Sequence, residues 1–514
     1  MSQKKGLLLG IDIGTTGCKS VFYDTDGKIA AAGYWDYEIV SPRDGWAEME
    51  PGEWWRGVCN TTKEALAKLD IHSPHVLGIC VSCANAIIPA DKEGRHLYRA
   101  VMQIDQRSQE QTHNAAELVP QKIYFEKTGN YIRTGGFSPS VILWFKEQHR
   151  EIYSQTYKFL APGGYIVQKM TGNFTIDYSR ASTAALMDIK ELKWSDVICA
   201  ALGIDSNKLP DLLGQETAAG QLLPEAAGQM GLAAGIPVAV GLMDSAASMI
   251  GSGCVNENNA SLVVGTVSRL CYPMTEANFP LNTLNAYFIK ETPYLAMAPT
   301  NGGGMSVKWF MASFGDYEKT IAKTMNIDYY ELFDNKASEI QAGCGGLLYL
   351  PFLTGERSPI WDPNARGVFF GISPKHTKAH FARSILEGVG HATLQNSRQI
   401  EEKLQKFFSE IVITGGGANS KLWCKILSSM LNKRIVRLGH SDCETKGAAF
   451  TAGLMTGVYN SCDDIKRQIE VKDTFDPDEA ATEIYNSMHG IYESLYPCLK
   501  DDFSNLAKIT QVFG

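Results

Sequence analysis

Gly10-Ile-Asp-Ile-Gly-Thr-Thr-Gly-Cys-Lys-Ser20 decides how this chain is read, because the apolar run Leu7 to Ile13 carries Asp12 into a turn of Gly14, Thr15 and Thr16. Glycine lets backbone close on a phosphate, the threonines offer N–H and hydroxyl donors, and the Asp12 carboxylate can hold a hydrated Mg²⁺. The glycines at 10, 14 and 17 are not spaced G-x-G-x-x-G, and Cys18 separates Gly17 from Lys19 where a P-loop needs them adjacent. A second alternating run, Ser20 to Tyr23, and a third, Lys28 to Tyr37, predict that the turn joins antiparallel strands. Nucleotide chemistry is the leading hypothesis, with a plain hairpin and an incidental Asp as its competitor.

A chain of 514 residues exceeds what one growing core supports, so at least two domains are expected. The net charge of −8, without a Lys/Arg-rich run, argues against nucleic acid or an anionic membrane as the main partner. Twelve cysteines are scattered singly apart from Cys80 and Cys83, which sit on the apolar run Val76 to Val81 and read as buried strand thiols rather than a zinc or redox pair. Met1 to Lys5 lead into a strand with no signal-peptide pattern, and no run of 18 apolar residues exists to span a bilayer. A reducing cytoplasm is the expected compartment.

Strands and helices alternate through most of the sequence, which predicts an α/β fold. The opening pattern recurs weakly at Ser261-Leu-Val-Val-Gly-Thr-Val-Ser268, again an apolar strand ending in Gly265-Thr266, with no acidic residue matching Asp12. Two similar halves would supply two phosphate loops and one metal carboxylate. Breaks at Gly251-Ser-Gly253 and a polar connector at Asn256 to Asn259 predict one domain over 1–250 and another over 251–514. From about Asp463 onward, Ile484, Tyr485, Met488, Ile491, Tyr492 and Leu495 recur at helical spacing and predict an amphipathic helix packed on the body.

Two further segments carry chemistry. Asp244 follows the apolar run Val238 to Leu242 and opens an apolar helix, where it reads either as an N-cap or as a general base for a substrate hydroxyl. Ile411 to Thr414 runs into Gly415, Gly416 and Gly417, which can expose backbone to an adenine or ribose, with Asn419 as donor and acceptor; the alternative is a strand-to-helix turn capped by Asn419 or Ser420.

The combination resembles the FGGY family of carbohydrate kinases over nearly the whole chain, and its xylulokinase-like members in particular. The block Gly345 to Val389, GGLLYLPFLTGERSPIWDPNARGVFFGISPKHTKAHFARSILEGV, looks like the family's pattern almost residue for residue. Gly45-Trp46-Ala-Glu48, Asp177 with Ser179, Ala181 and Ser182, and Glu444 with Gly447-Ala-Ala support it. The resemblance implies an α/β fold of two actin-like, ribonuclease-H-like domains with a duplicated core and an interdomain cleft. It implies ATP and Mg²⁺ as cofactors, with Asp12 on the metal. Gly14, Thr15, Thr16 and Lys19 would take the phosphates, Gly265 and Thr266 would form the second phosphate loop, and Gly302 and Gly303 would lie near the nucleotide. Gly415, Gly416 and Asn419 would hold adenosine, and Asp244 would be the general base. Gly355-Glu-Arg357 and Arg366 would fix the interdomain framework.

Substrate-side positions depart from the xylulokinase-like pattern. Ala84, Asn85 and Ala86 stand where a Gln-Met-His run reaches the sugar, Gln103 replaces a Trp before Asp105-Gln-Arg107, Val141 replaces a Lys, and Gly164 replaces the Asp before Tyr165. Asn85, Gln103, Asp105, Asp244 and Ser245 are therefore the candidates for contacting substrate. Lost polar groups change which hydroxyls are read. The resemblance favours a ketopentose such as xylulose, with other acceptors (glycerol, erythritol, gluconate) and an actin-like chaperone-type ATPase as alternatives. A homodimer stays open.

Overall fold

The run Leu7–Ile13 forms β1, and six of its seven residues are buried, as expected of a strand covered on both faces. The computed structural model describes residues 6–69, 74–132, 138–440 and 442–513; Met1 to Lys5 lie outside them. Antiparallel neighbours β2 (Gly17–Asp24) and β3 (Ile29–Asp36) follow on one side of β1. On the other side β4 (Val76–Cys83) runs parallel to β1, and β5 (Pro237–Ala239) parallel to β4. A two-residue strand, β6 (Leu242–Met243), pairs with the end of β4 and leads straight into helix α1 (Asp244–Gly251). Cys80 and Cys83 are both buried on β4.

The second half repeats this plan. β7 (Asn259–Val264) pairs antiparallel with β8 (Ser268–Met274), which pairs antiparallel with β9 (Tyr294–Thr300). β10 (Glu410–Thr414) runs parallel to β7, and β11 (Arg434–Leu438) parallel to β10. Both sheets therefore read third-second-first-fourth-fifth, and helix α2 (Cys443–Thr456) follows the fifth strand as α1 follows the first sheet's last strands. This is the duplicated architecture that the family resemblance implies.

Helices α1 and α2 cross backbone to backbone. A methyl group on Gly251 would stand 2.0 Å from the Cys443 carbonyl oxygen, and one on Gly447 would stand 1.9 Å from that of Ala247. Glycine is required at both, since neither neighbour is a side chain that can yield. Gly10 of β1 lies equally close to the Thr445 carbonyl. Around this crossing an apolar cluster draws Leu8, Tyr23 and Met249 from the first half and Val412, Val436 and Phe450 from the second. At roughly 1.5–3 kcal/mol for each large side chain buried, this shared core joins the halves at their base. The carboxyl ends of β1, β6, β7 and β10 remain together above it, where open α/β sheets bind ligands.

The C-terminal region differs in part from its periodicity. A strand, Val471–Phe475, adds to the edge of the second sheet before the last helix, Glu479–Phe513. Tyr485, Tyr492 and Leu495 are buried, but Ile484 and Ile491 are exposed. One narrow stripe is buried on the body, and the flanking isoleucines are only partly covered.

Candidate active site

Register places the first two acidic residues. Asp12 on β1 and Leu242 on β6 both face Ser82 of β4, so Asp12 and Asp244 emerge at neighbouring strand ends. Ser82 Oγ donates to Asp12 Oδ1 at 2.6 Å. Asp244 is the first helical residue of α1, the cap position being Met243, so it is not an N-cap. Its Oδ1 accepts from the backbone N of Ser245 at 2.6 Å and from Ser245 Oγ at 3.0 Å. The Asp177 and Ser179 motif finds its use here: Ser179 Oγ donates to Asp177 and accepts from Met243 N at 2.9 Å, fixing the residue before Asp244. The Asp244 side chain is 33% exposed and faces the second half, with Arg269 Nη1 3.9 Å from its Oδ1.

The turn after β1 is a closed hairpin loop. Gly14 N donates to Gly17 O at 2.9 Å, and Tyr37 latches it by donating from its hydroxyl to Gly14 O at 2.6 Å and Gly17 O at 2.9 Å. Thr15 is half-buried and Thr16 exposed, while Lys19 pairs across the strands with Asp12 and lies 3.4 Å from Asp442 of the other half. The turn after β7 is similar and one residue shorter, with Gly265 N donating to Val267 O at 3.0 Å and Thr266 exposed. The Gly302-Gly303 turn docks on it: Gly304 N donates to Gly265 O at 2.8 Å and Met305 N to Thr266 O at 2.9 Å. Gly415 packs on the same hairpin, at a φ of 81°, where a Cβ would lie 2.7 Å from Val264 O. Ser420 caps the helix that follows, accepting from Trp423 N at 3.0 Å, while Gly416 and Asn419 stay exposed.

Three substrate-side and framework expectations need correction. Asp105 is buried, and its oxygens accept from Ala47 N and from Arg107 N, Nε and Nη2 at 2.6–2.9 Å, leaving no capacity for a hydroxyl. It serves to hold Arg107, whose guanidinium lies 3.7 Å over Trp46. Ser245 is 3% exposed and spends its hydroxyl on Asp244, so it orients that carboxylate instead of meeting substrate. The Gly355-Glu-Arg357 turn works within the second half: Glu356 Oε1 accepts from Asn301 N at 2.6 Å and Arg357 N at 2.7 Å, and Arg357 Nε donates to Asn301 Oδ1 at 2.9 Å. Arg366 donates to nearby carbonyls, of Pro363 and Ala365. Asn85 and Gln103 do stand side by side, with Gln103 N donating to Asn85 O at 3.1 Å; Asn85 is half-buried and Gln103 exposed.

The site carries excess negative charge. Burial, Glu444, Asp244 and Asp442 together push Asp12 well above the usual carboxylate range, against the Ser82 bond. Glu444 is raised by its own burial and by Asp442 and Asp244. A divalent cation fits that donor set because it would relieve the repulsion. Among the described residues no three His, Cys, Asp or Glu side chains form a ready cage. Sequence reasoning gave Asp442, Glu444 and Arg269 no role. Glu444 was visible within a motif, but Arg269 gains meaning only from the approach of the two halves.

Glu356 yields a pH prediction. Burial raises its pKa from 4.5 to about 7, while N–H groups of Asn301 and Arg357 oppose the shift. The folded chain therefore binds a proton that the unfolded chain releases, and its contribution to stability is lost as pH rises from about 4.5 through about 7. Glu356→Gln keeps the acceptor oxygen without the titration. Its stability relative to wild type, from urea midpoints, should grow by about 1–3 kcal/mol between those limits. A constant difference would show that Glu356 does not titrate there.

Residues 7–251 match the model of the "FGGY family of carbohydrate kinases, N-terminal domain", and residues 260–456 match its C-terminal domain. The chain is 26% identical over 505 residues to a gluconokinase of Bacillus licheniformis, covering 97% of each. It is 27% identical over 498 residues to a xylulose kinase of Bacillus subtilis, covering 96% of this chain and 97% of that one. A ligand-bound xylulose kinase from Lactobacillus acidophilus superposes with a TM-score of 0.89 at 23% identity, covering 98% of this chain and 100% of that one.

Proposed function

Because the chain belongs to the FGGY family of carbohydrate kinases, we propose that it transfers the γ-phosphate of magnesium–ATP to a hydroxyl of a small sugar or polyol, preferably a ketopentose, in the cleft between its two halves. The observation that carries this reading is the convergence of Asp12 and Asp244 at adjoining strand ends, with Asp244 facing Arg269 of the second half. In this reading the domains are 1–250, which receives the acceptor and one phosphate loop, and 251–514, which receives adenosine on Gly415, Gly416 and Asn419.

The chemistry follows from these positions. Backbone N–H groups of the two glycine turns and Lys19 hold the phosphate chain, and Asn85 and Gln103 contact acceptor hydroxyls. Asp244, fixed by Ser245 and by the Ser179 bond to Met243, takes the proton of the attacking hydroxyl. Asp12 would hold Mg²⁺, which when bound neutralises charge on the β- and γ-phosphate oxygens. Closing the cleft on a bound acceptor excludes water from the reacting phosphate, so the group passes to the acceptor hydroxyl and not to solvent. Dependence on ATP and the mostly buried thiols support a cytoplasmic location. No helix among the described residues is long and apolar enough to cross a membrane.

Aldonates form the second reading, since a relative named gluconokinase is as similar to this chain as one named xylulose kinase. Coupled ADP release across pentuloses, pentitols, tetritols, glycerol and aldonates separates the two. The expected result is acceptor-dependent turnover, highest with a pentulose. An aldonate optimum would replace the first reading by the second, and turnover that no acceptor stimulates would overturn both.

A further inference from the structure

The two glycine-turn hairpins share one register, and their comparison singles out Arg269. In the first, Ile13 faces Cys18 and Asp12 faces Lys19; in the second, Val264 faces Ser268 and Val263 faces Arg269. Counted back from the turn, Val263 takes the place of Asp12 and Arg269 the place of Lys19. Residues directly opposite in an antiparallel pair share a face of the sheet, so each hairpin presents one cation beside its glycine turn. Only the first adds an anion.

The surroundings of Arg269 suit an anion brought by a ligand. Its side chain is 23% exposed, and its Nη1 reaches across to Asp244 Oδ1 at 3.9 Å, too far for a hydrogen bond. The Nε is buried without a well-formed hydrogen bond among the described residues, and what its guanidinium does meet on its own strand is the Cys271 thiol, a weak acceptor. Leaving a buried donor unsatisfied costs on the order of 1–3 kcal/mol, more when the group is charged. Cys271, then Asp244 and Glu444, help to keep the guanidinium charged against its burial, and its field in turn acts on Arg357. An arginine held next to both the proposed base and the Gly265-Thr266 turn stands where the phosphoryl group must pass.

We propose that Arg269 is a catalytic residue whose guanidinium binds the phosphoryl group during transfer; this rests on the kinase reading above. In that step the acceptor oxygen bonds to the γ-phosphorus, and the bond from that phosphorus to the β–γ bridging oxygen breaks. ADP leaves with the electron pair, and the acceptor proton passes to Asp244. Charge spreads over the three equatorial oxygens at that moment, and the planar guanidinium meets two of them with paired donors, which a lysine at the same position cannot do. Lys19 from the first hairpin and Arg269 from the second thus hold the phosphate chain from opposite halves.

The test uses Arg269→Met and Arg269→Lys in the full chain, with the best acceptor of the panel. Arg269→Met should keep its melting temperature and bind magnesium–ADP within about threefold of wild type. Its kcat should fall about 10²–10³-fold, the loss typical of removing a donor that meets developing charge. It should also lose the tightening of ADP binding that aluminium fluoride produces when acceptor is present, since that complex mimics the group in flight. Arg269→Lys should recover about tenfold of the loss; if the Met variant fails to fold, a Lys variant that folds must itself lie about 10–100-fold below wild type. The deficit should stay constant from pH 6 to 9. A kcat within threefold of wild type, an ADP affinity that falls as far as kcat, or a deficit erased at high pH would overturn the assignment, the last because it would reduce Arg269 to keeping Asp244 ionised. Wild-type turnover separates this failure from failure of the kinase reading, which would show as no acceptor-dependent reaction in either protein.

Discussion

Asp244→Asn lowers kcat by roughly 10²–10⁴-fold, the usual contribution of a positioned base, and leaves the melting temperature close to that of wild type. The fold survives because an asparagine oxygen can accept the same two bonds from Ser245 N and Oγ, while Met243 stays tied to Ser179. Only the capacity to take a proton is removed. Acceptor binding, measured by calorimetry without ATP, changes by less than about tenfold, since a hydroxyl can still hydrogen-bond an amide. A variant with normal kcat would take Asp244 out of the reaction, and lost acceptor affinity with unchanged kcat would make it a binding group.

Asp12→Asn separates function from stability in opposite directions. The carboxylate is held against burial and against Glu444, Asp244 and Asp442, with the Ser82 bond as partial relief. Because its pKa in the folded chain lies above the unfolded value, stability falls as pH rises past the usual carboxylate range toward that raised value. Neutralising the group removes the penalty, so without metal the variant melts at a higher temperature than wild type near neutral pH. Its kcat/KM for magnesium–ATP drops about 10²-fold or more, beyond what loss of a group that merely supports a metal ligand costs. Acceptor binding in calorimetry is unchanged. A lower melting temperature, or loss confined to acceptor binding, contradicts the placement of Asp12 among repelling neighbours at the phosphate end.

Local pattern made much of this architecture readable before any coordinates. β1 spans Leu7–Ile13 as its apolar run indicates, and the recurrence at Ser261 to Ser268 is a second hairpin in the same relative position. Asp12, Asp244, Gly265 and Gly415 could be picked out because each stands at the end of an apolar strand, Asp12 within it and the others just past it, and strand ends are where sheets of this kind gather their chemistry. What a single stretch does not reveal is who satisfies whom. Asp105 is indistinguishable from a hydroxyl reader until Arg107 and the Ala47 amide fill its lone pairs. Ser245 resembles a ligand contact until its hydroxyl turns back on Asp244. Arg269 is merely an early residue of a strand until the other half brings Asp244 alongside. The buried fraction of the last helix escaped as well, because periodicity marks a stripe without saying how much of it a neighbour covers.

The contact of Gly251 with Cys443 and of Gly447 with Ala247 bears on how this molecule can move. Main chain resting on main chain has no rotamers to exchange and no compressible side chain to give way, so sliding at that seam is blocked while tilting is not. The seam is therefore a fulcrum, and the lobes are rigid lever arms above it. Asp244 and Glu444, in the opening turns of the two seam helices, lie near the axis and are displaced least, whereas parts farther out sweep widest. The protein can thus open broadly for its ligands to come and go while the acidic centre stays set from one turnover to the next.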